Sequence, residues 1–508
     1  MSARAAGGGR AAAATSRPSP RVPGRLRPEL ASRVAVVARQ AAAQGVEAYL
    51  VGGTVRDLLL GRDSPDLDFV AVGDGLALAA AVHRQLGGRL LRHAGFLTAD
   101  VIDADGVHLD IATAREESYA AVAALPAVRP AAALVDDLRR RDFTVNAMAW
   151  RLVAPDDAGV AADRQGRFDP GNPIDRGSGP IDPHGGRRDL AAGLLRVLHE
   201  QSFFDDPTRV LRAVRFEVRL GFRLTPESEA QARQAVAAGA FARLTGSRLR
   251  HELELLLGAA PVPAAVLAGL ERLQDLGVLA AVHPRLALDD RERRRLRAVA
   301  AEHAWYLAAG PGLTRGAGIE GAAVGTSGRQ APPVRLWLLM LLALTAGLSE
   351  ADRIELAERL MLAGDERRRL AGFGGRLAAA RSRLGADAVP HEVDAALAGL
   401  AEEELLLLAA TGGSDGTRPA RQVGQEAEAE ARVRSWVRRY LTGLRPLALA
   451  IRGADLVAAG VPPGPEVGNA LRVTREARLD GRIGAAEELG FAVACLRETI
   501  VEPHGGRR

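Results

Sequence analysis

The chain has 508 residues, 47% of them apolar and 25% charged, which allows several buried cores and excludes global disorder. A single cysteine excludes a disulfide scaffold and any zinc site built on several thiolates. All 67 basic residues are arginine, so Schiff-base or titrating-lysine chemistry is excluded, and a net charge of +5 is only a weak pull toward an anionic partner. At roughly 150 residues per domain, the length suggests three or four compact units.

Residues 1–28 carry no acid, several arginines and many Ala, Gly and Pro, and predict a disordered basic tail rather than an amphipathic targeting helix. Leu30, Val34, Val37 and Ala41 have helical spacing. Glu47 to Val51 reads as a strand running into Gly52-Gly53, followed by a helix over Thr54 to Leu60 and a turn over Gly61 to Pro65. Leu67 to Val72 alternates as a strand. Val101 to Asp103 and Val107 to Ile111 read as two more, joined by a tight turn at Asp105-Gly106. Beyond about residue 185 apolar residues recur at three and four, and strand signals vanish. Leu336 to Leu348 is apolar but too short to span a bilayer and reads as a buried helix. The fold class is therefore α+β, a small mixed-sheet head followed by a long helical array. The divisions expected are a tail at 1–28, a head at 29–178, a neck at 179–258, a body at 259–400 with a Gly-rich insertion at 309–330, and a helical tail at 401–508.

Three stretches carry chemistry. In the first, glycines after a strand let backbone amides approach a phosphate at a helix N-terminus, so Gly52 and Gly53 form a candidate phosphate turn with Arg56 facing it. Nearby, Asp66 and Asp68 sit two apart on a strand, which puts both carboxylates on one face, a ligand pair for Mg²⁺. Asp110, on a later strand, is a candidate third carboxylate that completes a metal site or accepts the proton of an attacking hydroxyl. In the second stretch, Arg139-Arg140-Arg141 runs into Asp142, Phe143 and Asn146; Arg141 suits a triphosphate, and Asp142 or Asn146 a ribose hydroxyl. In the third, Asp206-Pro207 begins a helix on which Arg209, Arg212 and Arg215 recur every three residues among Val210, Leu211, Val214 and Phe216. A buried arginine row needs anionic or polar partners.

Taken together these residues resemble the class II tRNA nucleotidyltransferase and bacterial poly(A) polymerase family. Gly52 to Asp57 with Asp66-Leu67-Asp68 is similar to its metal motif, and Arg140 to Ala147 to its ribose motif. Asp182 to Leu190 looks like its hinge motif, and Asp205 to Phe216 like the motif that selects the nucleotide. The resemblance is dense from about 30 to 258 and looser beyond. It implies that Asp66 and Asp68 hold two Mg²⁺ ions, that Gly53, Arg56 and Arg141 contact the triphosphate, and that Asp142 contacts the ribose. Asp206 and Arg209 would act as an amino-acid template for the base, supported by Arg212 and Arg215. One departure is Asp205, where the family often has Glu.

The activity so implied is template-independent addition of CCA to the tRNA 3′ end from CTP and ATP, in the cytoplasm and with no membrane. Oligomeric state is not legible. Between Arg115 and Asp136 nothing looks deleted from the stretch that in the family forms a flexible loop needed for the final A, so CC-only addition is disfavoured. A-only addition and poly(A) synthesis remain alternatives. From other classes, so do a catalytically inactive RNA-binding module and a small-molecule nucleotidyltransferase, the latter opposed by the long helical array. No His-Asp dipeptide occurs, so the phosphohydrolase domain of some relatives is not expected, nor are the amino-terminal domains of the longest ones.

Overall fold

The computed structural model describes residues 26–62, 67–154, 174, 179–309, 334–411 and 423–501. Most of the expected basic tail, nearly all of the insertion at 309–330, and Asp66 lie outside the described residues. The chain groups into two compact units, fewer than length alone suggests: Met1–Asp205 with Arg223–Glu229, and Asp206–Phe222 with Ala230–Arg508.

The first unit is built on a mixed sheet. Helix α1 (Pro28–Ala43) leads into β1 (Glu47–Val51), α2 (Gly52–Leu59), β2 (Leu67–Val72) and α3 (Gly75–Leu86). Strands β3 (Arg89–His93), β4 (Thr98–Ile102) and β5 (His108–Thr113) follow. A two-stranded hairpin, β6 (Arg115–Ser118) and β7 (Ala127–Pro130), precedes α4 (Leu134–Arg139) and β8 (Ala149–Arg151). The six-stranded sheet has the order β3-β4-β5-β2-β1-β8, with β2 and β5 parallel and the other neighbours antiparallel. Its alternation sorts the faces. Leu67, Phe69, Ala71, Leu109 and Ile111 are buried on one side, where α3 packs against β2, β3, β4 and β5. Asp74 accepts from Ala77 N at 2.9 Å and starts α3. On the opposite side Val70 joins a core with Leu134 and Leu138 of α4, while Asp68 and Asp110 stand at the uncovered end of the same face.

The unit closes with α5 (Gly186–Ala192), the short β9 (Leu194–Leu195), α6 (Ser202–Asp205) and β10 (Arg223–Leu224), which pairs parallel to β9. Gly186 is required by space: a methyl group there would lie 2.2 Å from the Thr144 carbonyl oxygen. Buried Asp189 accepts from Thr144 Oγ1 at 2.8 Å and from Arg196 Nε at 3.2 Å, which ties the hinge-like segment to the ribose-motif loop.

The second unit is helical among its described residues. It begins with α7 (Thr208–Leu220), which packs against helices Gly246–Leu257 and Ala264–Asp275. Helix Leu336–Thr345 is buried on nearly every side, as its uniform apolarity predicts, and meets helices Gly246–Leu257, Asp290–Ala309 and Glu402–Thr411. No helix among the described residues is long and apolar enough to cross a membrane.

Candidate active site

The site is built at the junction of β1 and α2. Gly52 has φ +69°, a conformation that costs glycine little and other residues more. A methyl group on it would lie 2.9 Å from Arg141 Nη1 and 3.3 Å from Asp68 Oδ2. A left-handed turn, a guanidinium and a carboxylate thus converge on one residue. No side chain caps the α2 N-terminus; Gly52 N donates to the Met148 carbonyl at 3.3 Å, and the positive end of the helix lies beside Arg141. Gly53 is less constrained, since a methyl there would meet Arg56 Nη2 at an ordinary 3.5 Å. Gly52→Ala should therefore destabilise the head by about 1–3 kcal/mol through the strained φ and sharply weaken nucleotide binding. Thermal melting with ATP titration checks this, and unchanged ATP affinity would show that the close approach is unimportant.

Asp68 and Asp110 are register partners on parallel strands, so both carboxylates project from the same face. Asp100 pairs with Asp110 across β4 and extends the row, and His93 Nε2 lies 3.1 Å from Asp100 Oδ2. The donors suit a hard divalent cation in kind, being carboxylate oxygens on one face. Among the described residues no cluster of three His, Cys, Asp or Glu side chains gathers as a metal site, and Asp66 lies outside them.

Arg141 is set by α4. Fully buried Asp137 accepts Arg141 Nη2 at 3.0 Å through Oδ2 and Arg140 Nη2 at 2.7 Å through Oδ1. Burial works to raise the Asp137 carboxyl, but the charges of Arg141 and Arg140 and their hydrogen bonds hold it below the ordinary carboxylate range. Arg141 Nε is buried with no partner. Asp137 was not singled out in the sequence, although an acid four residues before Arg141 on a short helix was the available signal.

Arg56 is deeply buried beside Gly53. It is 3% exposed; Nε and Nη2 donate to the two Asp57 oxygens at 2.9 Å each, and Nη1 donates to Asn146 Oδ1 at 2.7 Å. The reason is satisfaction: a guanidinium this deeply buried needs nearby acceptors, and Asp57 and Asn146 supply them. Asn146 Nδ2 in turn donates to Asp142 Oδ1 at 2.9 Å, which also accepts from Phe143 N at 2.8 Å. A continuous polar chain thus links α2 to Asp142.

Residues 48–196 match the model of the poly A polymerase head domain. An A-adding tRNA nucleotidyltransferase of Geobacter sulfurreducens is 33% identical over 447 residues, covering 87% of this chain and 44% of that protein. A multifunctional CCA protein of Xanthomonas campestris pv. campestris is 30% identical over 458 residues, covering 85% of this chain and 97% of that one. The chain belongs to the class II tRNA nucleotidyltransferase family. The solved structure of a Thermotoga maritima CCA-adding enzyme complexed with tRNA superposes with a TM-score of 0.63 at 26% identity, covering 94% of this chain and 97% of that one. The chain spans less than half the length of the A-adding relatives it matches.

The second unit opens with the segment that resembles the family's nucleotide-selection motif. Asp206 Oδ1 accepts from Thr208 N at 2.9 Å and pairs with Arg248 Nη2 at 2.6 Å. The helix proper starts at Thr208, with Pro207 at its N-cap. Arg209 is 5% exposed. Arg212 and Arg215 share one partner, Glu252 of helix Gly246–Leu257, with Arg212 Nη1 3.7 Å from Oε1. The expected buried row is buried only at Arg209: the Arg212 and Arg215 side chains are 36% and 22% exposed, on a face where Glu252 supplies their acid from far along the chain.

Proposed function

We propose that this chain adds the terminal CCA nucleotides to the tRNA 3′ end, using CTP and ATP and releasing pyrophosphate, in the cytoplasm. The observation that carries the reading is the meeting of Arg141, Asp68 and the α2 N-terminus at Gly52, a place built for a polyphosphate beside a carboxylate. Arg141 and the positive end of α2 hold the triphosphate, and Asp142 orients the ribose. Asp66, Asp68 and Asp110 would hold Mg²⁺, which when bound supplies charge neutralisation on the reacting phosphate and a more acidic 3′-hydroxyl. Asp110, exposed on the sheet face, would also take the hydroxyl proton. The neck, body and tail divisions of the helical part belong to the same reading, with the tail binding tRNA.

Base choice falls to Asp206 and Arg209. Cytosine and adenine share an exocyclic amine that a carboxylate accepts, and each has a ring acceptor for an arginine. Uracil and guanine present the opposite polarity, at about 1–3 kcal/mol per contact. With Asp206 Oδ1 committed to Thr208 and Arg248, Oδ2 is left for the amine. Arg209→Ala should then raise UTP and GTP incorporation relative to CTP and ATP about tenfold. Competition assays with mixed nucleotides measure this, and undiminished rejection removes Arg209 from the template.

A second reading, addition of A alone, is favoured by the A-adding names of three relatives. Primer extension on tRNAs ending before CCA, after C and after CC separates the two. Completion of all three to CCA supports the first reading, and a single A on the CC-ended tRNA alone supports the second. Long A tracts would mean poly(A) synthesis.

A further inference from the structure

Resting on the proposed function, we infer that Glu117 and Asp137 are positioning residues that couple the β6–β7 hairpin to the nucleotide-binding guanidinium of Arg141. The path lies wholly within the first unit. At the root of the hairpin, Glu117 Oε2 accepts from Tyr119 Oη at 2.8 Å and its Oε1 accepts from Arg140 Nη1 at 2.8 Å. Arg115 Nη2 adds an ion pair to the same Oε1 at 3.1 Å. Arg140 donates onward to Asp137 Oδ1 through Nε at 3.0 Å and Nη2 at 2.7 Å, and the Arg115 backbone N reaches the same oxygen at 3.2 Å. Asp137 Oδ2 holds Arg141 Nη2 at 3.0 Å, and Arg141 Nη1 is the atom that closes on Gly52.

Every link is a charge-assisted bond among largely buried groups: the Glu117 side chain is 7% exposed and that of Asp137 is 0%. Two features make this more than a packed ion-pair cluster. Arg141 has one carboxylate oxygen fixing its pose, because its Nε is buried without a partner. Arg140 and Arg141 are adjacent like charges that a single carboxylate holds apart, so whatever shifts Arg140 shifts Arg141. The hairpin is also anchored at its far end: Ala123, buried at positive φ, donates from its backbone N to the Phe204 carbonyl at 3.0 Å. Phe204 sits in α6, two residues before Asp206 in the chain. The hairpin therefore touches both the segment leading to the base-reading residues and the network that aims the triphosphate-binding arginine. A movement of this hairpin changes nucleotide affinity through Asp137.

The test is equilibrium binding of ATP and CTP to the full chain, without RNA, for wild type, Glu117→Gln, Tyr119→Phe, Asp137→Asn and the Glu117→Gln/Asp137→Asn double variant. Asp137→Asn should weaken binding about tenfold, and Glu117→Gln about threefold at unchanged melting temperature. The double variant should bind no more weakly than Asp137→Asn alone, since both act along one path. If Asp137→Asn fails to fold, Glu117→Gln and Tyr119→Phe carry the test, each expected to weaken binding with the fold intact. Unchanged affinity in Glu117→Gln, or strictly additive losses in the double variant, overturns the coupling while leaving the functional reading in place. A wild-type chain that binds neither nucleotide overturns the functional reading and the inference with it.

Discussion

Asp68→Ala should abolish nucleotide incorporation, with a loss of at least about a thousandfold, while tRNA binding and melting temperature stay close to wild type. Asp68 is half-buried at the uncovered end of its sheet face, beside its register partner Asp110, and no core packing depends on its carboxylate. Truncation therefore removes charge without opening a cavity. A carboxylate that holds a catalytic cation supplies several kcal/mol of transition-state stabilisation, and each 1.36 kcal/mol is a factor of ten in rate. Single-turnover extension of a CC-ended tRNA by ATP measures the effect, with gel-shift titration as the binding control. Incorporation within tenfold of wild type would remove Asp68 from the reacting centre. A parallel loss of tRNA binding would instead give it a part in holding the RNA.

Arg56→Ala should collapse the stability of the head rather than merely lower nucleotide affinity. All three of its nitrogens donate within the protein, to both oxygens of Asp57 and to Asn146. Asp57 is itself 3% exposed, so removing the guanidinium strands a buried carboxylate. Breaking a buried pair from one side costs about 3–5 kcal/mol, a large part of a domain's stability. It also releases Asn146, which holds Asp142, so the proposed ribose contact should weaken as well. Urea unfolding followed by near-ultraviolet circular dichroism measures the stability loss. An exposed phosphate ligand would instead leave the urea midpoint unchanged and shift only KM.

Much of the head was legible in the sequence for simple reasons. Strands β1 and β2 occur over the predicted residues because their apolar runs are bounded by a double glycine and by the turn signals at 61–65. The Asp105-Gly106 turn predicts an antiparallel pair, and β4 and β5 form one, with Gly106 at φ +82°. The β6–β7 hairpin was not legible, because Arg-Glu-Glu-Ser and Ala-Val-Arg-Pro carry no alternating apolar pattern. Its strands are held by cross-strand pairing and by Glu117, which composition does not report. The site was legible in part. Residue types and spacing pointed to Gly52, Asp68 and Arg141, which converge, but not to Asp137 or Glu252, which orient arginines from elsewhere in the chain. Sequence spacing shows that a buried arginine needs a partner and leaves open which acid supplies it. It gave Arg56 a phosphate to face and did not show the bonds to Asp57 and Asn146, because the adjacent Asp57 was read as part of a motif rather than as an acceptor.

The central claim is that the Gly52 junction transfers a nucleotidyl group to an RNA 3′ end. The most direct measurement supplies a CC-ended tRNA with Mg²⁺ and ATP labelled with ³²P at either the α or the γ position, and follows the label. The account predicts that the α-label becomes covalently joined to the tRNA, the γ-label leaves entirely in pyrophosphate, and Asp68→Ala does neither. Label from the γ position on the RNA would mean phosphoryl transfer. With a CC-ended substrate bound, absence of α-label from the RNA would contradict nucleotidyl transfer at this site.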